Sequence, residues 1–382
     1  MPESSVDHAA SPTTGQVAIM VPTASNSGVL GEMTIGGQDA VITVVPATRP
    51  IAPLSEGEVL IEVRAFSVNY RDRGISFGNL TAIVESGRPS RWAGFGSEFS
   101  GVVLEVGSGV RDLNVGDRVM PNHHYFGPQK KTPGVSEAPS GVVTNRASVR
   151  FQTFHHSQLS RLPNGAAFEE GAAFTLAAQT AASMCRRGGV THGSRVLVCA
   201  PNSTTSQYLV QIARARGARV TVLSSRERVD SADAQDVFRD VSWLVRKASD
   251  SEVDWGSNLE AGFDVALDPF ADVYGASIFS AIKVGGTYVT CGFAHQYPGA
   301  DAPSVSLEQF VLGAMLRNLT IVTNCLGLDE DLIEATELWN RGVIVVPTPS
   351  KYTIKEAGAF FHGSFIGRKA LGRDVLVYAE NE

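Results

Sequence analysis

The sequence predicts an α/β protein: a doubly wound parallel sheet joined to a second, mostly-β domain. Three observations carry this. From about Val17 to Phe151, short apolar runs are separated by glycine-bearing turns, the punctuation of a small barrel or sandwich. From about Leu162 onward, apolar runs of strand length alternate with stretches of helical composition, which implies parallel strands and crossover helices. Between residues 195 and 225 one such unit stands complete.

Taken in order, residues 41–45 and 59–63 are β-branched and read as strands, followed by shorter strands at 101–106, 118–120 and 148–151. Residues 166–187 are Ala-rich and read as helix. Residues 196–200 form an apolar run of the length of a buried parallel strand. The turn Pro201–Ser206 leads into a helix that sets Leu209, Val210, Ile212 and Ala213 on its inner face and stops at Gly217. Residues 219–223 form the second strand. A strand, crossover helix and parallel strand of about 30 residues opens a dinucleotide-binding (Rossmann) sheet. Helix at 234–247, strand at 263–268, helix at 272–282, a turn at Gly285-Gly286 and strand at 287–292 continue the alternation. Helix at 307–316, strand at 319–323 and helix at 329–339 complete it. The chain then returns to a mixed pattern: strand at 351–354, helix from Lys355 and strand at 374–378. There is no internal repeat.

Composition narrows the function classes. The 382 residues suit two domains or one large one, and 43% hydrophobic with 19% charged is ordinary for a globular chain. The net charge of -7, with both signs mixed and no basic stripe, argues against nucleic acid as a partner. No apolar run approaches the roughly 18 residues of a membrane helix. Residues 1–16, polar and acidic with no apolar core, read as a disordered tail rather than a signal peptide, and a cytoplasmic location is the expectation. Cys185, Cys199, Cys291 and Cys325 form no close pair and read as buried reduced thiols, not zinc ligands.

Several stretches resemble the medium-chain dehydrogenase/reductase superfamily: VRAFSVNYRDRG (63–74), GSEFSGVVLEVGSGVRDLNVGDRVM (96–120), GGVTHGSRVLV, GGTYVTCGF and GRKALGRDVLVY. The resemblance covers about residues 41–378. It implies a GroES-like barrel domain over 17–160 and 345–382, and a Rossmann domain over 161–344. In zinc-dependent members of that superfamily a cysteine ligand stands at the position of Asn69 and a histidine ligand at that of Ser97. Neither Asn nor Ser holds zinc well, and Glu98 alone makes no site, so the chain resembles the zinc-free quinone oxidoreductases and enoyl reductases.

Without a metal, a developing oxyanion needs hydrogen-bond donors. The resemblance puts Asn69 and Tyr70 at the cofactor cleft: Asn69 to hold the nicotinamide carboxamide or a substrate carbonyl, Tyr70 to give a proton or hydrogen bond. Their plain alternatives are a turn cap and a cleft wall. Asp72 with Arg71 or Arg73 reads as a local ion pair. His123-His124 and His155-His156 read as ordinary histidines, because neighbours on a strand face opposite ways, although His123 could line the substrate pocket. Ser224, Ser225 and Arg226 end the second Rossmann strand without an acidic residue and suit the 2'-phosphate of NADP, with Arg228 a competitor. Asn202, Ser203, Thr204, Thr205 and Ser206 form the phosphate-facing turn, and Gly292 and Phe293 follow a later strand into the cleft. That turn aligns on the superfamily's AAAGGVG, with Ser203, Thr204 and Ser206 where glycines stand. A Cβ there obstructs a close approach to pyrophosphate, yet hydroxyls and a helix N-terminus attract anions. Two readings follow: an NADPH-dependent reductase of an activated alkene or quinone, or a redox-neutral enzyme or binding protein on the same scaffold. A small-molecule substrate is the expected partner. Pairing through an edge strand at 319–323 into a homodimer is what the resemblance implies.

Overall fold

The computed structural model describes residues 15–24, 26, 28–50, 52–88, 90–123, 141–224, 231–245, 262–295, 306–365 and 371–378. The barrel is built from β1 (Gly15–Met20), β2 (Val29–Ile35), β3 (Gln38–Pro46), β4 (Glu58–Ser67), α1 (Asp72–Glu85), β5 (Trp92–Ala93), β6 (Glu98–Val106), β7 (Arg118–Pro121), β8 (Phe151–His155) and β9 (Leu159–Arg161). Two helices follow, α2 (Phe168–Gly171) and α3 (Thr175–Arg187). The parallel sheet then runs β10 (Arg195–Cys199), α4 (Thr204–Ala215), β11 (Arg219–Ser224), α5 (Ala232–Val237), β12 (Ser242–Val245), β13 (Phe263–Asp268), β14 (Ile282–Thr290), α6 (Leu307–Leu316), β15 (Thr320–Thr323) and α7 (Asp329–Asn340). Finally β16 (Ser350–Tyr352), α8 (Ala357–Phe365) and β17 (Asp374–Val377) return to the barrel, where β17 pairs with β4.

The Rossmann sheet has the order β12-β11-β10-β13-β14-β15, all parallel. Its order reverses at β10, so the crevice for a ligand opens beyond the C-terminal ends of β10, β11, β13 and β14. Apolar side chains make this sheet a two-faced core. Val196 and Val198 pack with α3 and α4 on one face, while Leu197 and Cys199 join Ile278, Phe279 and Tyr288 on the other. Among the described residues no helix is long and apolar enough to cross a membrane.

The structure corrects several local expectations. Gly15 and Gln16 belong to β1, paired with Pro46 and Val45, so the expected tail overlaps the first strand by two residues; residues 1–14 lie outside the described residues. The expected strand at 148–151 is β8, Phe151–His155, because the Ala147 and Ser148 N–H groups donate instead to the Gly96 and Phe95 carbonyls. Helix α1 went unread: only Asp72, Ser76, Leu80 and Ile83 are buried, and two polar residues in that stripe hide its period. The expected helix at 166–187 is divided into α2 and α3. The expected helix at 234–247 stops at Val237, Asp240 turns left-handed (φ 52°), and residues 242–245 form β12. Trp243 packs edge-on to Phe238, 4.9 Å between rings, and this burial favours a sheet edge over a longer helix. The expected helix at 272–282 is a 3-10 segment, Gly275–Ala281, whose Ile278 and Phe279 are buried. His155 ends β8 while His156 begins a 3-10 turn, so their rings lie 4.5 Å apart rather than on opposite faces.

Candidate active site

A cleft of about 810 Å³ separates the barrel from the C-terminal edge of the Rossmann sheet. On the barrel side it is lined by Val68, Asn69, Tyr70 and Arg71, and by Arg373 where β17 begins. On the sheet side stand Ala200–Thr205, Ser224, Phe270, Cys291, Gly292, Phe293, Cys325 and Leu326.

At its barrel wall lies a closed network of polar side chains. Asn69 sits just past β4, and its backbone N–H donates to Asp72 Oδ2 at 2.7 Å. Its side-chain Nδ2 donates to Ser97 Oγ (3.0 Å) and to Glu98 Oε2 (2.9 Å). Ser97 Oγ in turn donates to Asp72 Oδ2 (2.7 Å). Glu98, fully buried, also accepts from Leu176 N (2.6 Å), Thr175 Oγ1 (3.3 Å) and Arg373 Nη1. Burial raises the Asp72 carboxyl above its ordinary value, partly offset by the Arg71 charge and by the Asn69 and Ser97 hydrogen bonds. Burial also pulls the Arg373 guanidinium down to about 10, with Asp72 acting in the opposite direction. Asn69 and Ser97, at the two positions that carry zinc ligands in the resemblance, are thus satisfied together with the neighbouring Glu98. Because both Asn69 amide hydrogens are committed, the atom it has left for a ligand is Oδ1, an acceptor; a carbonyl needs a donor. Arg373 was not singled out from sequence: the charge is visible in GRDVLV, but its partner lies 275 residues away.

Tyr70, 38% exposed, donates its hydroxyl to the Ala294 carbonyl and meets Phe270 edge-on at 6.0 Å. It therefore spans the cleft from barrel to sheet. The Ala294 end is held by buried Asp272, which accepts from the Ala294 N–H (2.6 Å), the His295 N–H (2.8 Å) and His295 Nδ1 (2.7 Å).

The turn after β10 divides the residues expected there. Ala200 takes a left-handed φ of 52°. Ser203 stands at the N-cap of α4 without a side-chain capping bond, so the helix's first-turn amides open on the cleft without a side-chain acceptor. Asn202, Ser203, Thr204 and Thr205 line the cleft. Ser206 does not: it is fully buried, and its hydroxyl donates to the Cys199 carbonyl at 2.7 Å, tying the helix to its own strand. This is the close helix–strand contact that glycine usually permits, made here by a hydrogen bond. Ser224 is buried at the end of β11 and lines the cleft, as do Gly292 and Phe293. Ser225, Arg226 and Arg228 lie outside the described residues.

Two further expectations change. His123 is fully buried away from the cleft; its N–H donates to Gln179 Oε1 (3.0 Å) and its Nδ1 accepts from Val143 N (3.1 Å). His124 lies outside the described residues. Of the four cysteines, Cys185 and Cys199 are buried as expected, but Cys291 is half-buried and Cys325 exposed, and both line the cleft.

A helix N-terminus with open amides on a cleft of this size fits a dinucleotide with its anionic centre at Ser203–Thr205. Among the described residues, Arg373 Nε and Nη2 have no protein acceptor, which leaves them for a ligand at the Asn69 end of the cleft.

Residues 55–154 match the family model described as an alcohol dehydrogenase GroES-like domain. That barrel joined to a six-stranded Rossmann sheet is the two-domain fold of the medium-chain dehydrogenase/reductase superfamily, which this chain shares. It is 25% identical over 316 residues to a mycocerosic acid synthase-like polyketide synthase of Mycobacterium tuberculosis, a match covering 80% of this chain and 13% of that one. It is 30% identical over 277 residues to polyketide synthase GfsB of Streptomyces halstedii, covering 71% of this chain and 4% of that one. The chain thus spans a small part of the curated relatives it matches. Among solved structures it is similar to AibC (TM-score 0.70, 24% identity, 96% and 97% of the two chains covered). A quinone oxidoreductase from Pseudomonas syringae pv. Tomato DC3000 shares the fold (TM-score 0.65, 19% identity, 95% and 99% covered).

Proposed function

We propose that the protein is a zinc-independent, NADPH-dependent reductase that transfers hydride to an activated alkene, enoyl or enone, or to a quinone. The observation that carries this is the cleft itself, with the open amides of α4 at one part and Asn69, Tyr70 and the Arg373 guanidinium at another. When bound, the reduced nicotinamide supplies the hydride. The residues of this chain do the rest. Asn69 Oδ1 accepts from the carboxamide and orients the ring. Tyr70, released from the Ala294 carbonyl, gives a proton or hydrogen bond to the reduced substrate. Arg373, held on the same Glu98 oxygen as Asn69, adds a positive charge at the Asn69 end of the cleft. Val68, Leu176, Phe270 and Leu326 form an apolar wall against the substrate chain. Support for metal independence is the mutual saturation of Asn69, Ser97 and Glu98, which leaves no open ligand set at that place. The preference for the 2'-phosphate rests on Ser224, Ser225 and Arg226 in sequence. The polyketide synthase relatives favour an alkene conjugated to an acyl group over a quinone.

Titration with NADPH, read by nicotinamide fluorescence, tests this. Saturable binding, weakened tenfold or more by Arg226→Ala with little change for NADH, supports it. Activity on a substrate with no binding at millimolar NADPH refutes it. That outcome would favour the redox-neutral reading, to which the side chains of Ser203, Thr204 and Thr205 at the cleft lend some weight. Stoichiometric zinc by elemental analysis would overturn metal independence. We also propose a homodimer formed through β15, the edge strand of the Rossmann sheet. A monomer by light scattering at micromolar concentration would refute that.

A further inference from the structure

Two thiols stand at the same stretch of the cleft, on adjacent strands. Strands β14 and β15 are parallel, with Thr290 opposite Thr323. The pairing runs one residue further, since Asn324 N donates to the Thr290 carbonyl at 2.7 Å. Cys291 and Cys325 are the next residues to leave the sheet. Within a sheet, one strand spacing across and one residue along would separate their Cα atoms by roughly 6 Å and set the side chains on opposite faces; here both residues lie past the strand ends and both line the same cleft, so that alternation no longer separates them. A Cα separation of roughly 6 Å lies inside the range of roughly 4.4–6.8 Å that a disulfide spans. Both residues line the cleft, and Cys325 also borders a second cavity of about 390 Å³ beside Arg186 and Arg187. The two differ in access: Cys325 is exposed, whereas burial pushes the Cys291 thiol up to about 12, with Asp268 and Cys325 adding to the rise.

We propose that Cys291 and Cys325 form a redox-modification site that a peroxide converts to an intramolecular disulfide across the cleft wall. The exposed Cys325 sulfur attacks the peroxide oxygen, giving the sulfenic acid and releasing an alcohol or water. The Cys291 sulfur then displaces the sulfenic oxygen as water, its own proton leaving with it. Overall, two thiols and one peroxide yield one disulfide, one water and one alcohol (or a second water). The second step is the slow one, because Cys291 is poorly ionised. The bond ties the Gly292–Phe293 segment to Leu326, fixing two neighbouring segments of the sheet-side wall of the cleft.

The whole chain is treated with hydrogen peroxide under native conditions and then denatured without reductant. The expected result is a loss of two hydrogen masses per chain and a fall in titratable thiols from four to two. A single cross-linked peptide pair should contain Cys291 and Cys325, and dithiothreitol should reverse all three changes. Cys291→Ser and Cys325→Ser should each abolish the mass loss while leaving Cys185 and Cys199 unreacted. Sulfinic acid at Cys325 without cross-linking would overturn the proposal. So would a dimer linked through Cys325, or a disulfide that survives either substitution. These readouts are independent of cofactor binding, so they stand or fall apart from the reductase reading.

Discussion

Glu98→Gln is the sharpest test of the network that stands at the metal position. Glu98 is fully buried and its two oxygens accept four hydrogen bonds. A glutamine amide placed toward Arg373 would face the Asn69 Nδ2 and Arg373 Nη1 donors with two more hydrogens. Turned the other way it would deny the Leu176 N–H its 2.6 Å acceptor. Either orientation also leaves the guanidinium without its hydrogen-bonded counter-charge, with the Asp72 charge acting on it only through space. Removing one partner of a buried ion pair costs about 3–5 kcal/mol. Urea unfolding followed by tryptophan fluorescence should therefore show a loss of that size. Because most of it is the penalty of stranding Arg373, the double variant Glu98→Gln/Arg373→Met should recover part of the loss, with a coupling energy well above the roughly 0.5 kcal/mol of independent sites. A single-variant loss below about 1 kcal/mol, or strict additivity, would refute the network as described.

Glu62→Ala should cost about 3–5 kcal/mol by the same urea measurement, since Arg150, fully buried, bonds Glu62 Oε1 at 2.7 and 2.9 Å and would lose that carboxylate. Asp268 is raised to about 6 by burial, against the opposing hydrogen bonds from Tyr288 and Phe270. Its folded value lies above its unfolded one, so the folded state holds the extra proton between about pH 4 and 6 and stability falls as pH rises through that window. Asp268→Asn should remove this fall: urea stabilities of the two proteins at pH 4 and pH 7 should diverge by about 3 kcal/mol in the variant's favour; an equal change in both would rule the assignment out. Ser206→Gly should destabilise by about 1 kcal/mol through loss of the bond to the Cys199 carbonyl, while leaving NADPH affinity unchanged because Ser206 is outside the cleft. Ser203→Gly, at the cleft, should change that affinity in titration.

The sequence alone determined the alternation that makes the Rossmann sheet. The run 196–200 is apolar on both faces, and only a sheet covered by helices buries it so. It also determined the absence of metal-ligand types at positions 69 and 97, a matter of chemistry rather than position. Tertiary structure decided the rest. Residues 242–245 became strand because an exposed sheet edge beside β11 and the Phe238 ring were there to take Trp243. Ser206, equivalent by alignment to a phosphate-facing glycine, was turned to its own strand by a carbonyl seven residues back. Arg373 met Glu98, and Cys325 met the cleft beside Cys291, only because β17 returns to the barrel and β15 pairs with β14. Hydrophobic period is local and therefore legible along the chain; the partner of a buried charge or thiol is set by which strands become neighbours.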